Sequence, residues 1–116
     1  MFADHNDPNC VAVIFTSLRA TADGAPVDDD GYARTAVRMA ELAAEQPGYL
    51  GIESARGADG LGITVSYWAT DADATAWRDV AEHAAARDAG RARWYERYEL
   101  RVARVERHYG WRRDAG

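Results

Sequence analysis

The sequence predicts an α+β domain with its elements in the order β-α-β-β-α-β, and three observations carry that prediction. Two alanine-rich segments repeat apolar residues at helical spacing, four shorter segments are rich in β-branched and aromatic residues, and the turn Gly57-Ala58-Asp59-Gly60 joins the middle pair of strands. With 116 residues, 47% of them hydrophobic and 28% charged, the chain fits one globular domain and not a disordered segment. This order of elements makes a four-stranded antiparallel sheet with both helices on one face.

Residues 1–9 read as a flexible N-terminal tail, 10–110 as the domain and 111–116 as a C-terminal tail. Cys10 to Ala20 form the first strand, and because apolar residues occupy both parities of Val11 to Phe15, both its faces are expected to be covered. The Gly-, Pro- and Asp-rich stretch that follows is a loop, in which Asp28, Asp29 and Asp30 provide an N-cap and favourable charge for a helix start. The first helix is predicted from Asp29 to Gln46, with Tyr32, Ala36, Met39, Ala40 and Ala43 as its buried stripe, and Pro47-Gly48 stops it. Tyr49–Arg56 and Gly62–Thr70 are the central hairpin strands. A second helix runs from Asp71 to about Gly90, with Trp77, Val80, Ala81, Ala84 and Ala85 on its apolar side. Tyr98 to His108 form the last strand, whose interspersed charges suit a sheet edge. Ile52, Ile63, Val65 and Val102 are assigned to the face away from the helices. That is too much apolar area to leave wet, so two copies are expected to pack face to face as a homodimer.

Composition excludes several classes of function. Cys10 is the lone cysteine, so no internal disulfide forms and a reducing cytoplasm is the expected location. The polar, acidic start is unlike a secretory leader, and the longest apolar runs are too short to cross a bilayer. Net charge is −5, and every basic residue is arginine. The arginines crowd the last third, but Glu82, Glu96, Glu99 and Glu106 alternate with them, which reads as an ion-paired solvated face and not a nucleic-acid surface. No glycine-rich phosphate loop or dinucleotide fingerprint is present, and His5, His83 and His108 are scattered, so no metal site is expected.

The second helix carries the candidate chemistry. Positions 76, 80, 83 and 87 share one stripe, so His83 and Arg87 lie one turn apart and flank Val80. A neutral imidazole beside a fixed guanidinium is a candidate base, with the guanidinium holding the anion that results. The competing reading makes His83 a flank residue and Arg87 a solvated one. Trp68 closes its strand where the ring can wall a pocket, or pack in the core or a dimer contact. Trp77 on the apolar stripe carries the same pair of readings, and Trp94, Tyr95 and Tyr98 read as corner packing.

The segment PGYLGIESARGADGLGITVSYW, Pro47 to Trp68, followed by a helix with Trp77 and Ala81-Glu82-His83, resembles the antibiotic biosynthesis monooxygenase family over residues 10–108. That resemblance implies a ferredoxin-like fold paired as a dimeric α/β barrel. It also implies a small oxidoreductase acting with dioxygen on a planar phenolic or enolisable molecule. The haem-degrading branch of the family uses a first-strand Asn, which falls at Ser17, a helix Trp, matched by Trp77, and a haem-ligating His, which falls at Arg87. Arginine does not serve as an ordinary iron ligand, so haem is disfavoured. The cofactor-independent branch uses a third-strand Trp, matched by Trp68, an Arg for which Arg87 is the counterpart, and an Asn that falls at Thr64. The helix stripe read together with the resemblance gives His83 and Arg87 as expected catalytic residues, Trp68, Trp77, Ser17, Thr64 and Val80 as expected substrate-binding residues, and no bound cofactor. A non-catalytic small-molecule-binding dimer and a haem-binding protein are the alternatives.

Overall fold

A computed structural model describes residues 2, 3, 5, 7, 9–86 and 93–113. The elements are β1 (Val11–Arg19), β2 (Thr21–Ala22), β3 (Ala25–Pro26), α1 (Asp29–Ala44), β4 (Tyr49–Arg56), β5 (Leu61–Trp68), α2 (Asp71–Ala86) and β6 (Tyr95–Arg104). The main sheet has the order β4-β5-β1-β6 and every neighbouring pair is antiparallel. Leaving out the small β2–β3 hairpin, this is the β-α-β-β-α-β order with a central hairpin, an α+β ferredoxin-like fold. No described helix is long and apolar enough to cross a membrane.

Local chemistry fixes the element ends. Asp28 caps α1 in the left-handed conformation (φ 50°) and its carboxylate accepts from Gly31 N at 3.3 Å, while Asp29 and Asp30 place negative charge in the first turn. The helix stops at Ala44, two residues short of the expected end, and the Gln46 side chain donates back to the Leu42 carbonyl at 3.1 Å. At the start of α2 the Thr70 hydroxyl accepts from Asp73 N at 3.1 Å. The stretch read as a plain loop folds into β2 and β3 around Asp23 and Gly24, both at positive φ. The last strand begins at Tyr95, earlier than expected, because a bulge at Leu18/Arg19 keeps the β1 ladder in pairing range.

The core lies on the helix side of the sheet. Val11, Val13, Ala43, Trp68, Ala74 and Trp77 form a buried cluster against which Met39, Leu42, Tyr49, Leu100 and Val102 pack. Trp68 and Trp77 stack with centroids 5.6 Å apart, and Tyr49 meets Trp68 edge-on at 5.7 Å. The assignment of Ile52 and Val102 to the opposite face is corrected by the register. Ile52 pairs with Ser66 and Val102 with Val13, both on the helix side. Simple alternation from Tyr49 would turn Ile52 outward, but a register shift between Tyr49 and Gly51 restores it to the helix side. Ile63 and Val65 do face away, together with Leu61; Leu61 is 46% exposed and Ile63 44% exposed.

Candidate functional site

Strand alternation sorts the helix-side residues into two kinds. Val13 and Phe15 on β1, Ile52 on β4 and Leu100 on β6 are apolar, whereas Ser54 on β4 and Thr64 and Ser66 on β5 carry hydroxyls. Between this surface and the helices lies a cavity of about 380 Å³, within the range of small-molecule sites. From α1 come Tyr32, Thr35, Ala36, Met39 and Ala40, and from α2 Trp77, Ala81, Ala84 and Ala85. Trp94, just before β6, and Tyr95, its first residue, complete the lining. Alanine makes the room: a helix carrying Leu at positions 36, 40, 81 and 84 would fill the space with side chains.

The polar groups gather toward the hairpin end. Ser54 Oγ and Thr64 Oγ1 are 2.8 Å apart. The Arg56 guanidinium donates from Nη2 to Ser17 Oγ at 2.8 Å and to the Tyr32 hydroxyl at 2.6 Å, and from Nη1 to the Gly60 carbonyl. Arg19 is only 4% exposed, yet its charge is fully engaged: Nε donates to the Trp94 carbonyl at 3.2 Å, Nη2 to the Val27 carbonyl at 2.7 Å and Nη1 to Asp29 at 3.2 Å. Its Cζ also lies 3.8 Å from the Tyr32 ring centroid. Trp94 and Tyr95 meet the Tyr32 ring edge-on, both at 5.9 Å. Burial pushes the Tyr95 phenol well above its ordinary value, and its hydrogen bond to Tyr32 adds to the shift while Arg56 and Arg19 oppose it. The indole N–H of Trp94 donates to Asp28 at 3.1 Å and is the main reason that carboxyl is held below the usual range; the Gly31 amide, Arg93 and Arg34 act in the same direction.

The expected site residues are distributed unevenly. Trp77 and Thr64 line the cavity. Trp68 is fully buried behind Trp77, and its indole N–H donates to Ser66 Oγ at 2.9 Å, which makes it the wall's support and not its surface. Ser17 is buried as the acceptor of Arg56, beside the cavity's lining. Val80 and His83 are exposed and lie outside the lining. The reason is helical phase: at 100° per residue His83 is about 120° around the axis from Trp77, while Ala81 and Ala84 stay close to it. Arg87 lies outside the described residues. The structure therefore does not bring His83 to the cavity that Trp77 walls. Tyr32, Ser54, Arg56 and Arg19 went unrecognised as site residues. The signal available for Ser54 was the small hydroxyl series on β4 and β5, whereas nothing local in the sequence marks Arg19 or Arg56.

No histidine or cysteine is among the described residues that line the cavity, and the described set as a whole contains no cluster of metal-ligating groups. The lining does not fit a haem held through a proximal imidazole. A second, more open groove of about 660 Å³ between α2 and β6 is lined largely by Arg78, Asp79, Glu82, Glu96, Arg97 and Glu99, a charged surface ill matched to a planar apolar ligand.

Comparison with known proteins agrees with this architecture. The family model for antibiotic biosynthesis monooxygenase matches residues 18–89. The chain is 50% identical over 101 residues to the uncharacterized protein YqjZ of Bacillus subtilis (strain 168), covering 87% of this chain and 83% of that one. SnoaB, a cofactor-independent oxygenase from Streptomyces nogalater, superposes with a TM-score of 0.57 at 18% identity, covering 92% of this chain and 97% of SnoaB. The haem-degrader MhuD from Mycobacterium tuberculosis, solved with two haems in its active site, superposes with a TM-score of 0.55 at 19% identity, covering 85% and 99%. At these identities the two structures speak for the fold alone, and the residues matched by the family model span more than half of the sequence. The chain belongs to the antibiotic biosynthesis monooxygenase family.

Proposed function

We propose that this protein is a small oxidoreductase that oxidises a planar phenolic or enolisable molecule with dioxygen, without a bound cofactor. The observation that carries the reading is the cavity between helices and sheet, apolar along most of its wall and hydroxyl-lined toward the hairpin. Trp77 and Met39 offer flat and adaptable apolar contact to a ring system, and Ser54, Thr64 and Tyr32 offer hydrogen bonds to its oxygens. For a methylene activated by neighbouring phenol or keto groups, loss of a proton gives a carbanion that passes an electron to dioxygen. Recombination and loss of water then leave a ketone, so that methylene plus dioxygen becomes carbonyl plus water. The protein's part is to orient the ring, exclude bulk water from the reacting carbon and hold the ionised oxygen. His83 is exposed and outside the lining, so a role for it in proton transfer requires α2 to turn that face toward the cavity. Solvent water at the mouth, beside exposed Ser54, is the proposed acceptor of the proton.

The homodimer belongs to the same reading. Leu61, Ile63 and Val65 form an apolar patch on the open face, and Tyr109 and Trp111, 85% and 80% exposed, sit on the extended residues 105–113 that follow the last strand. A second copy covers both features at once.

The test is oxygen uptake with a panel of anthrone- and quinol-type substrates, in protein free of added flavin, metal and haem. Uptake matching ketone formation, lost in Trp77→Ala and retained in His83→Ala, is the expected result. Binding without uptake selects a non-catalytic small-molecule carrier, and a Soret band on haem titration revives the haem-binding reading.

A further inference from the structure

We propose that the ligand of the cavity carries an oxyanion at one end of an otherwise apolar planar body, and that this oxyanion docks on Arg56. The proposal rests on reading the cavity as a small-molecule site and adds the class of ligand to it.

Arg56 follows Ser54 by two residues on β4, so its side chain rises from the same face of the sheet about 7 Å beyond the Ser54–Thr64 pair. Its cross-strand partner is Gly62, and a Cβ there would come within 2.5 Å of Arg56 Cζ and Nη2. The guanidinium therefore occupies the space that the missing side chain leaves; Arg56 is exposed and stands outside the lining itself, which it meets at the rim through the Tyr32 hydroxyl.

A guanidinium has five N–H donors. Arg56 uses three of them, toward the Gly60 carbonyl, Ser17 Oγ and the Tyr32 hydroxyl, and all three acceptors are neutral. Among the described residues no carboxylate is paired with Arg56. Asp59, in the same hairpin, accepts from the Leu61 amide at 3.1 Å. Arg19, by contrast, is matched by Asp29. Both guanidinium groups flank the Tyr32 ring, Arg19 Cζ at 3.8 Å and Arg56 Cζ at 5.2 Å from its centroid. The rim of the hollow beside Tyr32 thus carries a positive charge that no described carboxylate neutralises, with two donors unspent. Both Nη2 hydrogens are spent, so the free Nε–H and Nη1–H point from different edges of the group; a carboxylate or ionised phenol meets one of them and matches the charge in sign. A ligand anchored there lays its rings over Ser54 and Thr64 and points its far edge at Trp77.

The experiment is calorimetric titration with 2-naphthoate and 2-naphthamide, which share a bicyclic body and differ in charge. The wild type is expected to bind the naphthoate about tenfold more tightly. Arg56→Met should bring the two affinities together while preserving naphthamide binding. Gly62→Ala, which keeps the charge but takes the guanidinium's place, should narrow the preference as well and carries the test should the Arg56 variant not fold. Equal affinities in the wild type, or a preference that survives in Arg56→Met, overturn the oxyanion dock and leave the cavity as a ligand site. Failure of both naphthalenes to bind overturns the cavity reading and the dock with it.

Discussion

The two faces of strand β5 follow opposite rules. Toward the helices, where a buried core is normal, it presents Gly62, Thr64, Ser66 and Trp68; toward the open side it presents Leu61, Ile63, Val65 and Tyr67. A strand of a monomeric two-layer domain would alternate the other way, apolar inward and polar outward. The inversion sets strand β5 apart from the rule for a strand that packs its core within one copy. Hydroxyls point inward where a hollow lies, and the aliphatic side chains point outward onto the face proposed to meet a second copy.

The sharpest way to break this comparison is to cut into each face in turn. Trp68→Ala removes a fully buried ring that stacks on Trp77 and bonds Ser66, and should cost about 3–5 kcal/mol of stability, seen as a large fall in the urea midpoint. A loss of under about 1 kcal/mol would mean that the helix side is not the core. Ile63→Arg changes a residue that is 44% exposed, so the monomer's fold should lose no more than about 0.5 kcal/mol. Sedimentation should nevertheless shift from dimer to monomer. An unchanged sedimentation coefficient would show that the open face is not where copies meet.

The smallest effect concerns Tyr67. Its hydroxyl donates to Glu53 at 2.7 Å, Ala3 N donates to the other Glu53 oxygen at 3.1 Å, and the His5 ring lies 5.1 Å away. Burial, with help from Glu53, pushes the Tyr67 phenol up to about 12. A phenol harder to ionise when folded stabilises fully below the unfolded value near 10 and loses that contribution as pH rises toward 12. Wild-type stability should therefore fall between those limits more steeply than that of Tyr67→Phe, measured by urea denaturation at each pH. Parallel curves would remove Tyr67 from the account.

How far the sequence reaches depends on the kind of signal. The hairpin strand Tyr49–Arg56 is found with its observed bounds, because Pro47-Gly48 and Asp59-Gly60 punctuate both ends. The parity of Ile52 is missed, because the irregularity between Tyr49 and Gly51 belongs to pairing and leaves no mark in composition. Trp77 and Thr64, singled out through spacing and resemblance, do line the cavity. His83 misleads, because the helical stripe drawn through it turns its described members, 76, 80 and 83, outward. Arg56 escapes altogether: its meaning comes from Gly62, Ser17 and Tyr32, which only folding brings to it.

The stacked pair Trp68–Trp77 has a spectroscopic consequence. Two indoles 5.6 Å apart at 26° couple their electronic transitions, and one of them borders the space a ligand would fill. Near-ultraviolet circular dichroism should therefore register occupancy of the hollow directly, through a chromophore the protein already owns, without any label and without turnover.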